Sequence, residues 1–333
     1  MSEQRCILVG DWLANDTSIE DKALSGKNCS MVFSGIDNTS TIDDKRETLI
    51  DAIRAQERID TLLFCIAPVD AAVIDELPES CTLLQRLGTG LDNVDIPYAE
   101  SKGLIVHNTP NYCLEEVAVQ VTANLLALHR QFPAVEAALR EGGWAAKPPI
   151  PIHRLSTQTL GIAGFGRIGR KLGEIMKRLV KRVIYFDTYP GELVDWAESV
   201  SFDELLQTSD MISIHMPLTD ETRDIINRDT LSKMKETALF VNAARGALVN
   251  PVDISDALNK GVIAGAALDV FEPEVLLADS PLREARNLIL TSHTAWYSEE
   301  AMLDARVEAI GSIVDHLNAG NIKVEYKLKE GKA

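Results

Sequence analysis

Residues 159–179 read TLGIAGFGRIGRKLGEIMKRL, an apolar run that enters Gly164-x-Gly166-x-x-Gly169 and leaves it as a helix-period segment. Each glycine of such a turn has its own physical task. Gly164 permits the tight reversal, Gly166 lets a pyrophosphate come up to the backbone, and Gly169 lets helix and strand pack closely. The new helix also offers its unpaired N–H groups to phosphate, which points to Phe165, Arg167 and Ile168 as neighbours of the same ligand. Taken alone, the spacing also fits a plain turn. Its context favours a dinucleotide: the next strand, RVIYFD, ends on Asp187, 18 residues after Gly169. A carboxylate there accepts from a ribose 2′-OH and repels a 2′-phosphate, and Thr188 and Tyr189 bring no cation to reverse that, so NAD is expected over NADP.

Downstream, the alternation of strand and helix continues through VIYFD, MISIH, ALFVNAA, AGAALDV and NLILTSH, which with GIAGF makes six strands of one doubly wound sheet. Upstream, residues 6–9, 31–33, 62–66, 83–87 and 104–106 read as short buried strands, and residues 43–58 place Leu49, Ile50 and Ile53 on one helical face. A long apolar helix begins near Leu114, with Glu115 and Glu116 suited to its positive end and apolar residues on more than one face. EGGWAAKPPIPIHRLSTQ (residues 141–158) cannot continue a helix and reads as an extended connection. The last helix, about 299–319, is too short a tail to fold alone and is assigned back to the first half. The expectation is an α/β protein of two doubly wound parallel-sheet domains, 1–105 with 296–333, and 106–295.

The 333 residues, 46% of them hydrophobic, suffice for two such cores. The most apolar run, residues 117–128, is broken by Gln120, Thr122 and Asn124 and falls short of a membrane span. A formal charge of −17 disfavours nucleic acid and anionic membranes as partners, so an anionic ligand needs a locally positive site. Five scattered cysteines without a C-x-x-C suit a reduced compartment, and MSEQRCILVGDW does not read as a signal peptide, so the cytoplasm is expected. The histidines show no metal-ligand spacing, and neither a G-x-S-x-G elbow nor an aromatic-basic stripe occurs. No metal is expected.

A nicotinamide enzyme acting on an anion needs a cation for the carboxylate and a proton donor beside the carbon that receives hydride. VNAARGALVN puts Arg245 just after a strand, where α/β sheets bind ligands, although an isolated arginine is as often a surface group. Asp269, Glu272 and Glu274 follow the strand of GAALDVFEPEV, and His293 follows that of LTSHTAW. A glutamate beside a histidine stabilises the imidazolium and keeps a proton available for donation. A lone histidine at a buried strand end is more often a satisfied core residue. These alternatives stay open on spacing alone.

Together, GFGRIG, HMPLTDET, VNAARGALVN, GAALDVFEPE and LTSHTAW closely resemble the D-isomer-specific 2-hydroxyacid dehydrogenase family, over nearly the whole chain. LGTGLDNVDI resembles that family's substrate loop and NTPNY its crossing between domains, while HTAWYSEE and ALREG resemble the branch that includes the C-terminal-binding-protein corepressors. The resemblance implies a flavodoxin-like substrate domain, a Rossmann NAD-binding domain, an active site in the cleft between them and a homodimer. It makes Arg245 the carboxylate and carbonyl binder, His293 the acid/base and Glu274, five positions after Asp269, its partner. Backbone amides around Thr89 and Gly90 would hold the carboxylate, with Tyr112 near the substrate and Trp296 a wall restricting its side chain. His215, Pro217, Thr222, Ala243, Ala244 and Asp269 would line the cofactor, Asp269 at the nicotinamide end. The implied function is hydride transfer between NADH and C2 of a small 2-keto acid. The alternative is an NAD(H)-responsive interaction protein of the corepressor type.

Overall fold

The computed structural model describes residues 4–319 except 13, 15, 38, 145–147, 149 and 190. The lysine-bearing tail and part of the extended connection therefore lie outside the described residues. The chain divides into two compact units, Met1–Cys113 with Ser298–Ala333, and Leu114–Tyr297.

In the first unit β1 (Arg5–Val9), β2 (Cys29–Phe33), β3 (Thr61–Phe64), β4 (Leu83–Arg86) and β5 (Ile105–His107) form a parallel sheet in the order β2-β1-β3-β4-β5. Every residue of β3 is buried, as a parallel strand covered on both faces requires. The helix Ile42–Arg54 starts at a reciprocal cap between Thr41 and Asp44 and buries Leu49 and Ile53. The helix Glu299–Ala319 returns to this unit, setting Ala305, Ala309, Ile310 and Ile313 among Ile7, Val9, Leu63 and Leu83. There Arg306, 3% exposed, donates to both oxygens of Glu20 at 3.0 and 2.7 Å and also to Asp16 Oδ1 at 3.2 Å, so loss of Arg306 would strand the buried Glu20 carboxylate. The boundary expected after residue 105 cuts through β5, whose Val106 and His107 pair with Leu84 and Gln85, so ladder hydrogen bonds keep that strand in the first unit.

Among the described residues the second unit has seven strands rather than six: β6 (Thr159–Ala163), β7 (Arg182–Phe186), β8 (Glu198–Ser199), β9 (Met211–Ile214), β10 (Leu239–Asn242), β11 (Gly265–Leu268) and β12 (Leu288–Leu290). The extra strand, β8, is two exposed residues paired with Ile184 and Tyr185 at the sheet edge, and carries no hydrophobic pattern to betray it. The parallel order β12-β11-β10-β9-β6-β7-β8 reverses direction between β6 and β9. At such a switch the connections leave on opposite faces, which opens a ligand crevice beyond the strands' carboxyl ends. The helix Leu114–His129 packs on β10, β11 and the helix Arg167–Met176, burying Val117, Val121, Leu125 and Leu128. Among the described residues no helix is long and apolar enough to cross a membrane.

Candidate active site

The turn after β6 has the shape its three glycines require. Gly164 has φ +96°, and a Cβ there would lie 2.6 Å from the His215 carbonyl carbon. A Cβ on Gly169 would lie 2.2 Å from the Gly164 carbonyl oxygen, so this position is where the helix closes on the strand. Gly166 differs: it precedes the helix Arg167–Met176, and a Cβ there would meet nothing within 4 Å. That open space beside the first helical amides, with exposed Arg167 and half-buried Ile168 flanking it, is a cradle a pyrophosphate fits. Phe165 turns its ring inward, 1% exposed and stacked on Tyr185 at 4.0 Å between centroids. Its backbone N–H donates to Asp187 Oδ2 at 2.6 Å, and that of Tyr189 to Oδ1 at 2.8 Å. Two amides thus hold the Asp187 carboxylate at the end of β7, beside the glycine turn.

His215 leads out of β9. Its backbone N–H donates to Ala163 O at 2.6 Å and its Nε2 lies 2.9 Å from Ser213 Oγ. Burial pushes the imidazole down to about 4, so it stays neutral near pH 7 and is no second acid. The loop that follows is closed by Thr222, whose hydroxyl donates to Pro217 O at 2.8 Å and accepts from Thr219 N–H at 2.8 Å.

Three neighbouring strands, β10, β11 and β12, end in the loops that carry the remaining polar groups. Asn242, the last residue of β10, is fully buried. Its side chain accepts from Ala244 N–H at 2.9 Å and donates to Arg245 O at 2.8 Å, folding half-buried Ala243 and Ala244 into a tight bend that presents Arg245. A Cβ on Gly246 would fall 2.1 Å from the Phe271 carbonyl carbon, so the β10 and β11 loops are pressed together. Of the two glutamates there, Glu272 pairs with Arg223 at 2.6 Å, while Glu274 Oε2 lies 3.1 Å from His293 Nδ1. The His293 side chain remains 43% exposed, and its backbone sits in the left-handed region at φ +52°. Trp296 is half-buried and meets Tyr297 edge-on at 5.5 Å, and Tyr297 is 50% exposed.

Asp269 directly follows β11. It is 0% exposed, its Oδ1 accepts from the Thr291 hydroxyl and from Thr294 N–H at 3.1 Å, and its Oδ2 accepts from Ala295 N–H at 3.0 Å. Its partners all belong to the loop of His293.

In the first unit, Thr89 and Gly90 follow β4. Asn108 Nδ2 donates to Thr89 O at 2.6 Å and the Thr89 hydroxyl to Thr109 O at 3.2 Å, while Arg86 bridges the Cys65 and Gly90 carbonyls. Among the described residues the backbone N–H groups of Thr89 and Gly90 find no acceptor, as an anion-binding loop needs. Tyr112 is half-buried among Cys65 and Leu87, and burial pushes its phenol well up, so it acts only as a neutral hydrogen-bonding group. Asn242 and Arg86 are positioning groups that sequence reasoning missed. An Asn at the end of a buried strand is a turn-forming residue that could have been noticed; Arg86 carried no comparable signal.

The sequence model described as D-isomer specific 2-hydroxyacid dehydrogenase, NAD binding domain, matches residues 122–295. The chain is 34% identical over 261 residues to a glyoxylate reductase of Korarchaeum cryptofilum, covering 77% of this chain and 78% of that protein. It is 33% identical over 262 residues to a hydroxypyruvate reductase of Blautia hydrogenotrophica, covering 76% and 81%. Among solved structures it is similar to a glyoxylate reductase from Paecilomyes thermophila, with a TM-score of 0.85 and 27% identity over 97% of this chain and 98% of that one.

Proposed function

The chain belongs to the D-isomer-specific 2-hydroxyacid dehydrogenase family, and on that premise we propose how its own residues carry the reaction. The protein is an NAD-dependent oxidoreductase that interconverts 2-keto and 2-hydroxy acids. We assign the Leu114–Tyr297 unit as the NAD-binding domain and the Met1–Cys113 with Ser298–Ala333 unit as the substrate domain. The Gly164–Gly169 turn holds the pyrophosphate and Asp187 the adenosine ribose. NADH, when bound, supplies the hydride for C2 of the keto acid.

The backbone amides of Thr89 and Gly90 and the Arg245 guanidinium take the substrate carboxylate, and Arg245 also polarises the C2 carbonyl. His293 donates its proton to the oxygen that becomes the hydroxyl as hydride adds to carbon; in the reverse direction it removes that proton. Glu274 at Nδ1 fixes the ring, leaving Nε2 for proton transfer. The observation that carries this reading is the 3.1 Å contact between Glu274 and His293, on the same unit and the same carboxyl edge as the glycine turn and Asp187. Trp296 forms a wall that restricts the substrate side chain.

The test is NADH consumption against glyoxylate, hydroxypyruvate, pyruvate and bulkier 2-keto acids. His293→Ala should lower kcat by about 10²–10⁴-fold while NADH still binds. Tight NADH binding with no turnover on any acid, together with NADH-dependent assembly, would favour the corepressor-like alternative.

A homodimer is supported by the helix Phe132–Arg140, which buries none of its residues and leaves Phe132 61% and Leu139 56% exposed, with Trp144 beyond it 86% exposed. Sedimentation at a single 36.5 kDa mass would reject it. A cytoplasmic location is supported by the five cysteines, all free thiols.

A further inference from the structure

Residues 167–182 carry seven lysines and arginines against a single acid, Glu174, in a chain whose formal charge is −17. Arg167, Arg170, Lys171, Lys177 and Arg178 recur at three- and four-residue spacings through the helix Arg167–Met176 and the turn after it, opposite buried Gly169, Leu172, Gly173 and Met176. They form one basic face, which Lys181 extends. On an acidic protein, neighbouring carboxylates ordinarily neutralise such a face. Among the described residues, however, Arg170, Lys177, Arg178 and Lys181 form no ion pair, and Lys171 meets Glu115 only at 3.9 Å. Aromatic rings hold two of these cations instead: the Arg170 guanidinium lies 4.9 Å from the Phe165 ring centre, and Lys177 Nζ lies 4.6 Å from that of Trp196. A ring carries no net charge, so it holds a cation without cancelling it. Arg170 Nε donates to Phe165 O at 3.0 Å, while its Nη2 is buried with no hydrogen-bond partner. Compensation of the helix dipole accounts for Lys177 and Arg178 at the negative end, but not for Arg167 and Arg170 in the first turn, where the dipole is itself positive. Cations gathered there repel one another until an anion arrives, and the same end offers the open space beside Gly166.

We propose that this face is the entry path for the dinucleotide: its field draws the anionic pyrophosphate of NAD(H) to the Gly164–Gly169 turn and sets the association rate, with little part in holding the bound cofactor. The inference rests on the reading of that turn as the cofactor site. The remaining surface of so acidic a chain repels an anion, so a positive lane beside the turn both attracts and directs it. The 10-residue helix rises about 15 Å, so Arg178 and Lys181 beyond its end are too far to touch a pyrophosphate at its start. They remain within reach of a field whose screening length is about 30 Å at about 0.01 M salt and about 8 Å at about 0.15 M. NADH carries both pyrophosphate charges uncompensated, whereas the nicotinamide cation of NAD+ offsets one of them, so NADH should feel the face about twice as strongly.

The experiment is stopped-flow binding of NADH and of NAD+ to the full chain, followed by fluorescence, at about 0.01 M and about 0.15 M salt. Arg178→Glu with Lys181→Glu reverses two exposed cations of the face, and Lys22→Glu with Lys27→Glu makes the same change of net charge on exposed residues of the first unit. By Coulomb's law over about 18 Å of screened water, the face variant should slow NADH association about fivefold at low salt and less than about twofold at high salt. NAD+ association should slow only about twofold at low salt, and dissociation of both cofactors should stay within about twofold of the parent. The first-unit variant should associate within about twofold of the parent at both salts. Equal slowing in the two variants would assign the effect to net charge and overturn the proposal, as would parent-like association of the face variant at low salt. Faster dissociation that accounts for the lost affinity would make the face part of the bound site, and would also overturn it. Slowing of both cofactors alike at either salt marks a damaged fold; Arg178→Gln with Lys181→Gln, which removes the charges without reversing them, then decides by the same comparison. A parent that binds NADH at a salt-independent rate overturns this inference alone, whereas a parent that binds neither cofactor overturns the reading of the glycine turn and this inference with it.

Discussion

Mild acid should weaken this protein through His215 before most carboxylates begin to titrate. Burial holds the folded imidazole at about 4 against 6.5 for an ordinary histidine. Between those values the unfolded chain binds a proton that the folded chain does not, so the contribution is complete above pH 6.5 and is lost as pH falls towards 4. At about 1.4 kcal/mol per pH unit the whole window is worth about 3 kcal/mol, of which about 2 kcal/mol is lost by about pH 5. The imidazole residue retains some solvent contact, so these are upper values. His129 and His316 are also held below their ordinary value, chiefly by burial, and push in the same direction. Urea unfolding of the parent and of His215→Gln, at about pH 7.5 and about pH 5, isolates the effect, because glutamine cannot take up the proton but can still reach Ser213. The parent should lose about 1–2 kcal/mol more than the variant on acidification. Parallel losses in the two proteins would refute the reasoning.

Other substitutions probe the rest of the site. Gly169→Ala drives a Cβ to 2.2 Å from the Gly164 carbonyl oxygen, so it should cost about 1–3 kcal/mol of stability and weaken NADH binding; denaturation and titration matching the parent would contradict the close-packing argument. Asp187→Ala removes the charge that repels a 2′-phosphate, so the kcat/KM ratio of NADPH to NADH should rise; an unchanged ratio would take Asp187 out of cofactor selection. Trp296→Ala should relax the preference among 2-keto acid side chains, and the same ranking across a substrate panel would show that the indole is packing alone.

Where one residue's chemistry and its neighbours in sequence sufficed, the reading from sequence was close. The buried strand runs and the returning helix Glu299–Ala319 announced themselves by composition and period, because parallel strands must be apolar on both faces. The edge strand β8 did not, because two exposed residues held by hydrogen bonds to β7 leave no such signature. The domain boundary was misplaced for a related reason: β5 belongs to the first sheet through its ladder to β4, a partner 22 residues upstream.

The amino-acid sequence by itself determined the doubly wound architecture, the glycine turn and Asp187 as its distant partner, since each follows from local spacing or from residue chemistry, while the keto-acid chemistry followed from the family resemblance of its motifs. Glu274 as the partner of His293 came from the family resemblance, whereas which donors Asp269 meets and how Asn242 and Arg86 shape their loops were decided only by the tertiary structure. Those are contacts between strand ends brought together by sheet order, where a glutamate two residues away pairs instead with Arg223. A carboxylate's role depends on the donors that surround it after folding, and spacing along the chain does not encode them.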